Sequence, residues 1–112
     1  MTNAIKTSLL ENLPEVAGPE EIFETLVQGN HGVRIERIVS WGHHSPENFW
    51  YNQEQAEWVM VVQGEAILAI EGQADVHLLP GDSINLAAHK AHRVVWTTPT
   101  QPTVWLAVLY SA

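Results

Sequence analysis

Cysteine is absent from this chain of 112 residues. The absence excludes a disulfide framework, a thiolate metal site and a cysteine nucleophile. Positive charge is also scarce, because five Lys and Arg residues accompany thirteen Asp and Glu residues, for a formal net charge of −8. Nucleic acids and anionic membrane surfaces are both bound through clustered cations that face phosphate groups. We therefore expect neither kind of partner.

Long apolar runs are missing as well, and no window approaches the length needed to span a bilayer. The segment Met1–Thr7 has no apolar run behind a basic start, so no secretory signal is predicted and the expected location is the cytoplasm. What is present is a balance of 46% hydrophobic and 16% charged residues. This balance is typical of a folded globular chain, and the length is that of one domain.

One segment has the features of a helix. Pro19 suits a first helical position, the two glutamates after it suit the positive end of the helix dipole, and Gly29 can end the helix. The apolar residues between them fall on one helical stripe. The sequence therefore predicts one short helix over Pro19–Gln28, within an N-terminal arm of residues 1–32.

From Val33 onward the pattern is that of strands, and residues 33–112 are predicted to form a β-barrel that makes one structural domain with the arm. A break in the alternation at Arg37–Ile38 predicts a bulge. Short strands at close spacing favour an antiparallel barrel or sandwich. The predicted strands are Val33–Glu36, Phe49–Asn52, Trp58–Val62, Ala66–Ile70, Asp75–Leu79, Ser83–Leu86, Arg93–Thr97 and Thr103–Tyr110.

Two short motifs resemble those of the cupin superfamily. Glu57 to Gly64 matches the E-(x)6-G half of the first cupin motif without a gap, and Pro80-Gly81-Asp82 is similar to the turn that opens the second. The stretch Ile84–Val94 continues the second motif and places its histidine at His92. The resemblance covers about residues 33 to 110. It implies a short single-domain cupin of the cupin 2 type, an all-β, RmlC-like jelly roll or double-stranded β-helix.

The metal motif departs from the family's pattern. Counting back from Glu57 places Tyr51 and Gln53 where the family has its two metal-binding histidines, and Trp96 stands where the second motif has asparagine. Because side chains alternate along a strand, Tyr51 and Gln53 are expected to point into the barrel. The resemblance then predicts that Tyr51, Gln53, Glu57 and His92 converge in one pocket.

Three uses of this pocket are open. Gln53, Glu57 and His92 could hold a divalent ion such as Zn, Fe, Mn or Ni, although two strong ligands and an amide form a weaker set than three histidines and a carboxylate. The polar groups could instead satisfy one another as a closed hydrogen-bond cluster. They could also hold an organic ligand. In a metal-dependent enzyme Tyr51 would be a general acid or substrate anchor, and the carboxylate of Glu57 and the imidazole of His92 also allow metal-free acid–base catalysis.

Three other histidines are candidate additional metal ligands. His43 and His44 are adjacent and precede a Ser-Pro turn, so a position at the barrel rim is the simpler interpretation. His89 stands at the position of a small residue in the family motif and could line the mouth of the pocket.

Large apolar residues at strand positions that point away from the barrel interior indicate an interface. Trp50, Trp58 and Met60 alternate with the inward positions and should face away from the barrel interior. We therefore expect a homodimer formed through a sheet face.

Two functional classes remain open from the sequence. One is a small-molecule enzyme of the oxygenase, isomerase or lyase type that depends on a metal, or an acid–base enzyme that does not. The other is a non-catalytic module that binds or senses a small metabolite in a metal-free polar pocket. The substrate is not encoded in the fold.

Overall fold

The computed structural model describes residues 2–112 and confirms the all-β jelly-roll architecture. Its strands form two antiparallel sheets, of order β1-β2-β8-β3-β6 and β5-β4-β7. A single-turn 3-10 helix lies at Asn30–Gly32. The strands are β1 Ile22–Gln28, β2 Arg34–Ser40, β3 Ala56–Gln63, β4 Ala66–Ile70, β5 Val76–Leu78, β6 Ser83–Leu86, β7 His92–Thr97 and β8 Thr103–Tyr110.

The predicted helix over Pro19–Gln28 is wrong, because Ile22–Gln28 is strand β1 and pairs antiparallel with β2. Over seven residues a helical stripe and a strand are hard to tell apart from apolar spacing. The β-branched and aromatic residues of this segment favour a strand once the edge of β2 offers backbone partners. The bulge predicted at Arg37–Ile38 is also misplaced: β2 pairs with β8 in unbroken register, and the irregularity lies in β1 between Thr25 and Val27.

The hydrophobic core lies between the two sheets. Alternation along β3 sends Val59 and Val61 inward, and β8 contributes Trp105, Ala107 and Leu109 from the same sheet. The facing sheet supplies Leu68, Ile70 and other buried residues to the same cluster. The two sheets therefore share one core.

The N-terminal arm is tied to the larger sheet by Arg37. Its guanidinium Nη1 donates hydrogen bonds to the carbonyl oxygens of Leu9 (3.0 Å) and Glu11 (2.6 Å), and its Nε donates to Glu24 (3.2 Å). The division into an arm of residues 1–32 and a barrel of residues 33–112 stays a prediction. Among residues 2–112 no helix is long and apolar enough to cross a membrane.

Candidate functional site

A cavity of about 270 Å³ lies between the two sheets. Most of its lining residues are aliphatic or aromatic, and the others are polar or charged. That combination is the usual one for a small-molecule site. Its lining residues are Glu21, Phe23, Arg34, Glu36, Ile38, Tyr51, Gln53, Glu57, Val59, Leu68, Leu86, His92, Val94, Trp105 and Leu109. Tyr51, Gln53, Glu57 and His92 thus line the same cavity.

Backbone hydrogen bonds place Tyr51 and Gln53 at the cavity. The predicted strand Phe49–Asn52 is a single antiparallel bridge between Tyr51 and His92. In that bridge the Tyr51 amide donates to the His92 carbonyl at 2.7 Å, and the His92 amide donates to the Tyr51 carbonyl at 3.1 Å. The His89 amide donates to the Gln53 carbonyl at 2.7 Å. The segment is therefore fixed against the start of β7.

Glu57 and His92 approach each other from opposite sheets. Glu57 is on β3 and His92 is the first residue of β7, and Glu57 Oε1 lies 3.6 Å from His92 Nε2. His92 Nδ1 donates to the Lys90 carbonyl at 3.0 Å, because a carbonyl oxygen can only accept. In the neutral ring Nε2 is therefore the acceptor. Gln53 Nε2 donates to Glu57 Oε1 at 3.3 Å.

The pKa of His92 is raised above its usual value of 6.5. Burial alone would lower this pKa, but the neighbouring Glu57 carboxylate and the Lys90 carbonyl both favour the imidazolium and together outweigh burial. The pair is thus an acid–base couple in which protonation of His92 is promoted by Glu57.

The raised pKa predicts a pH-dependent contribution of His92 to stability. Because the folded-state pKa exceeds the unfolded value, the stabilisation is fully present below about pH 6.5 and is lost as pH rises through the folded-state pKa. We therefore expect His92→Asn to lower the free energy of unfolding more at about pH 5.5 than at about pH 9. Urea unfolding at both pH values measures the difference. In a Glu57→Gln background the pH dependence should be smaller; an equal pH dependence there would show that Glu57 is not its source.

Tyr51 is held as a neutral phenol. Burial, and then the charges of Glu21 and Glu57, raise its pKa above 10.0. Its ring stacks on the His92 ring with centroids 5.5 Å apart and an interplanar angle of 23°, and Phe49 meets it edge-on at 4.8 Å. The hydroxyl is therefore available at neutral pH as a hydrogen-bond donor with a fixed ring orientation.

Three charged side chains that line the cavity were not found from the sequence: Glu21, Arg34 and Glu36. Arg34 Nε lies 3.1 Å from Glu36 Oε2 on β2, and Glu21 accepts a hydrogen bond from the Ser40 hydroxyl. Arg34 and Glu36 share the inward phase of Ile38, so strand alternation could have identified them. Glu21 could not be found that way, because its position depends on β1, which was predicted to be helical.

The structure does not bring His43, His44 or His89 to the cavity. His43 Nδ1 accepts from the Trp41 amide at 2.8 Å and its Nε2 donates to the Gly18 carbonyl at 2.7 Å, so both ring nitrogens are occupied at the rim. His44 and His89 are exposed; His44 bonds the Ser45 carbonyl, and His89 lies 2.8 Å from the Asn52 side-chain oxygen.

The donor set does not fit the metal centre that a cupin fold implies. Within residues 2–112 no three His, Asp or Glu side chains are placed to hold a metal ion. Glu57 and His92 face each other, and Gln53 turns its amide nitrogen, which is not a metal donor, toward Glu57. Gln53, Glu57 and His92 instead contact one another.

The two antiparallel sheets enclose one cavity, as expected for the cupin fold. The family model for the cupin domain matches residues 38–109, and the chain belongs to this family. Among curated proteins, none matches the chain.

Solved structures similar to this chain carry different names. The crystal structure of a putative mannose-6-phosphate isomerase from Ralstonia eutropha JMP134 is 44% identical, with TM-score 0.93, 97% of this chain covered and 100% of that one. A cupin superfamily protein from Desulfitobacterium hafniense DCB-2 is 19% identical, with TM-score 0.75 over 98% and 94% of the two chains. A DMSP lyase from Ruegeria pomeroyi DSS-3 is 18% identical, with TM-score 0.69 over 81% and 47%. The last two show the fold alone.

Proposed function

We propose that this cupin binds a small organic molecule directly in its barrel cavity, without a resident metal. The observation that carries the proposal is the cavity of about 270 Å³, with apolar walls and the polar groups of Tyr51, Gln53, Glu57 and His92. Ligand sites of this kind use a few oriented polar groups for specificity and apolar surface for affinity. A protein that only binds or senses a small molecule needs no catalytic group or metal in addition to this cavity.

The polar groups of the cavity offer both donors and acceptors to such a ligand. The Tyr51 hydroxyl is a neutral donor, and the Gln53 amide has a second N–H beyond the one directed at Glu57. His92 Nε2 accepts when the ring is neutral. These groups are held by backbone contacts and ring stacking, so little ordering is needed when a ligand binds.

A second candidate is metal-independent acid–base catalysis of the isomerase type. The Glu57–His92 pair favours it, because an imidazole beside a carboxylate can take a proton from a substrate carbon while the Tyr51 hydroxyl hydrogen-bonds the oxygen on which charge develops. The isomerase name of the 44% identical protein agrees with this reaction class. A phosphorylated sugar suits the cavity poorly, because three carboxylates and one guanidinium line it.

Elemental analysis of protein purified without a metal-affinity tag tests the metal-independent proposal. We expect well under about 0.1 equivalent of Zn, Fe, Mn or Ni per chain, and an unchanged melting temperature in chelator, since a metal bound only to the folded state would stabilise it. Stoichiometric metal that disappears in His92→Ala would overturn the proposal and support the metal-dependent enzyme instead.

We also propose that the protein is a homodimer through the outer face of the larger sheet. Trp58 and Met60 on β3 alternate with the cavity-lining residues and are half-buried, as are Leu106 and Val108 on β8 beside them. Trp50 is 45% exposed, but it lies near Arg93 on the smaller sheet and is outside this face. An apolar sheet face of this kind is typically covered by a second copy.

Sedimentation of the wild type and of Met60→Glu tests the dimer. We expect twice the 12.5 kDa chain mass at micromolar concentration for the wild type, and a shift to monomer for the variant because a buried unpaired carboxylate is costly. Glu54→Gln, an exposed change outside the face, should leave the dimer intact. A wild type that sediments only as 12.5 kDa would contradict the proposal.

A further inference from the structure

Each of three glutamates that line the cavity has one carboxylate oxygen without a protein partner. Glu21 uses Oε2 to accept from Ser40, Glu36 uses Oε2 to pair with Arg34, and Glu57 uses Oε1 toward Gln53 and His92. Within residues 2–112 no hydrogen bond or ion pair reaches the second oxygen of any of the three glutamates. Three carboxylate oxygens of the lining residues can thus accept hydrogen bonds from a ligand.

The neutral His92 ring adds a fourth acceptor. The His92 side chain is 8% exposed, and its Nδ1 is committed to the Lys90 carbonyl. Its Nε2 has no hydrogen-bond partner among the described residues, because Glu57 Oε1 lies 3.6 Å away. A ligand that donates to Nε2 would supply the missing partner of the neutral ring.

The charge balance of the cavity is negative. Glu21, Glu36 and Glu57 face a single guanidinium, Arg34, so two negative charges are unbalanced when His92 is neutral and one when it is protonated. Leu68 and other apolar side chains form most of the remaining wall. Apolar walls lower the local dielectric constant, so a ligand charge is felt more strongly there than in water.

These acceptors and charges point to one ligand class: we infer that the cavity binds a protonated primary or secondary amine with an apolar body. The ammonium N–H groups donate to the free oxygens of Glu21, Glu36 and Glu57. The apolar body lies against Leu68, Val94 and Trp105. Carboxylates and phosphate esters are excluded by the same charges. This inference rests on the proposed binding function and narrows it.

Three probes with one apolar body test the inference: cyclohexylmethylamine, cyclohexylmethanol and cyclohexanecarboxylate. The protein is titrated with each at low salt and about pH 8, where an alkyl ammonium is still charged, and binding is followed by NMR shifts of cavity-lining residues. We expect the amine to bind at least about tenfold more tightly than the alcohol, which is about 1.4 kcal/mol. The carboxylate should give no shifts at millimolar concentration.

Variants that each remove one carboxylate charge distinguish an effect of the cavity charges from an effect of the net charge of the protein. Glu36→Gln should weaken amine binding by about three- to tenfold and alcohol binding less, because the alcohol carries no charge. Glu21→Gln offers the same test at a second position if Glu36→Gln fails to fold. Glu71→Gln is the matched control, because it removes the same charge from an exposed turn outside the cavity and should alter neither ligand.

The outcomes distinguish this inference from the proposed function. If the alcohol or the carboxylate binds as tightly as the amine, the cavity is a binding site but the amine inference is wrong. An equal loss of amine binding in Glu36→Gln and Glu71→Gln would overturn the inference in the same way, since only net charge would matter. If none of the three probes shifts a cavity residue at millimolar concentration, both the inference and the proposed function are overturned.

Discussion

Gly64→Ala is expected to lower the free energy of unfolding by about 3 kcal/mol or more. Gly64 has φ of +91°, in the left-handed region that costs an L-residue about 1–2 kcal/mol. A Cβ at this position would also lie 2.6 Å from the Thr103 Cα and 2.9 Å from its Cβ, so the backbone of β8 would have to move. Overpacking of this kind costs about 1–3 kcal/mol in addition.

The displacement would also disturb the hydrogen bonds between the β3–β4 turn and the start of β8. The Thr103 hydroxyl accepts from the Glu65 amide at 3.2 Å and donates to the Glu65 carbonyl at 3.3 Å. Gly64 closes the E-(x)6-G stretch, so these contacts give a physical reason for glycine at that end of the motif. Only glycine leaves room for the neighbouring strand.

Gly81→Ala is the matched control, measured by urea unfolding beside Gly64→Ala. Gly81 has nearly the same φ, +92°, but nothing lies within 4 Å of a Cβ built there. It should therefore show only the conformational cost, about 1–2 kcal/mol. Equal destabilisation by the two variants would show that contact with Thr103 contributes nothing.

The double variant Tyr51→His/Gln53→His is expected to acquire stoichiometric transition metal. Both positions line the cavity with Glu57 and His92, so the variant would present three imidazoles and a carboxylate to one point. Such a set suits Zn, Fe, Mn or Ni, whereas the wild type offers two strong donors and an amide. At a free metal concentration of about 100 times Kd, the folded state gains about 2.7 kcal/mol.

Metal content and melting temperature with and without added Zn²⁺ measure this gain. Tyr51→His/Gln53→His/His92→Ala is the control and should bind the metal more weakly and gain less stability from it, because one of the three imidazoles is removed. A double variant that folds but binds no metal would show that these four positions do not converge closely enough for coordination. A wild type that gains as much stability from Zn²⁺ would contradict the proposed metal independence.

Much of the fold followed from local patterns. Alternation in β3 and β8 and the turn signals between strands predicted the all-β class, because period two is set by backbone geometry and needs no knowledge of neighbours. The Glu57-to-Gly64 spacing and the turn before β6 indicated a cupin. Strand β1 was not predicted from local patterns, because the conformation of an edge strand depends on the strand that pairs with it.

From the sequence, the resemblance to the cupin motifs implied that Tyr51, Gln53, Glu57 and His92 would share a pocket, and all four line one cavity. Only the tertiary structure decided what those groups do to one another. Glu57 and His92 are 35 positions apart in the sequence and meet because two sheets pack face to face. The tautomer and raised pKa of His92, and the carboxylates that line the cavity, depend on distances across that space, which no local pattern encodes.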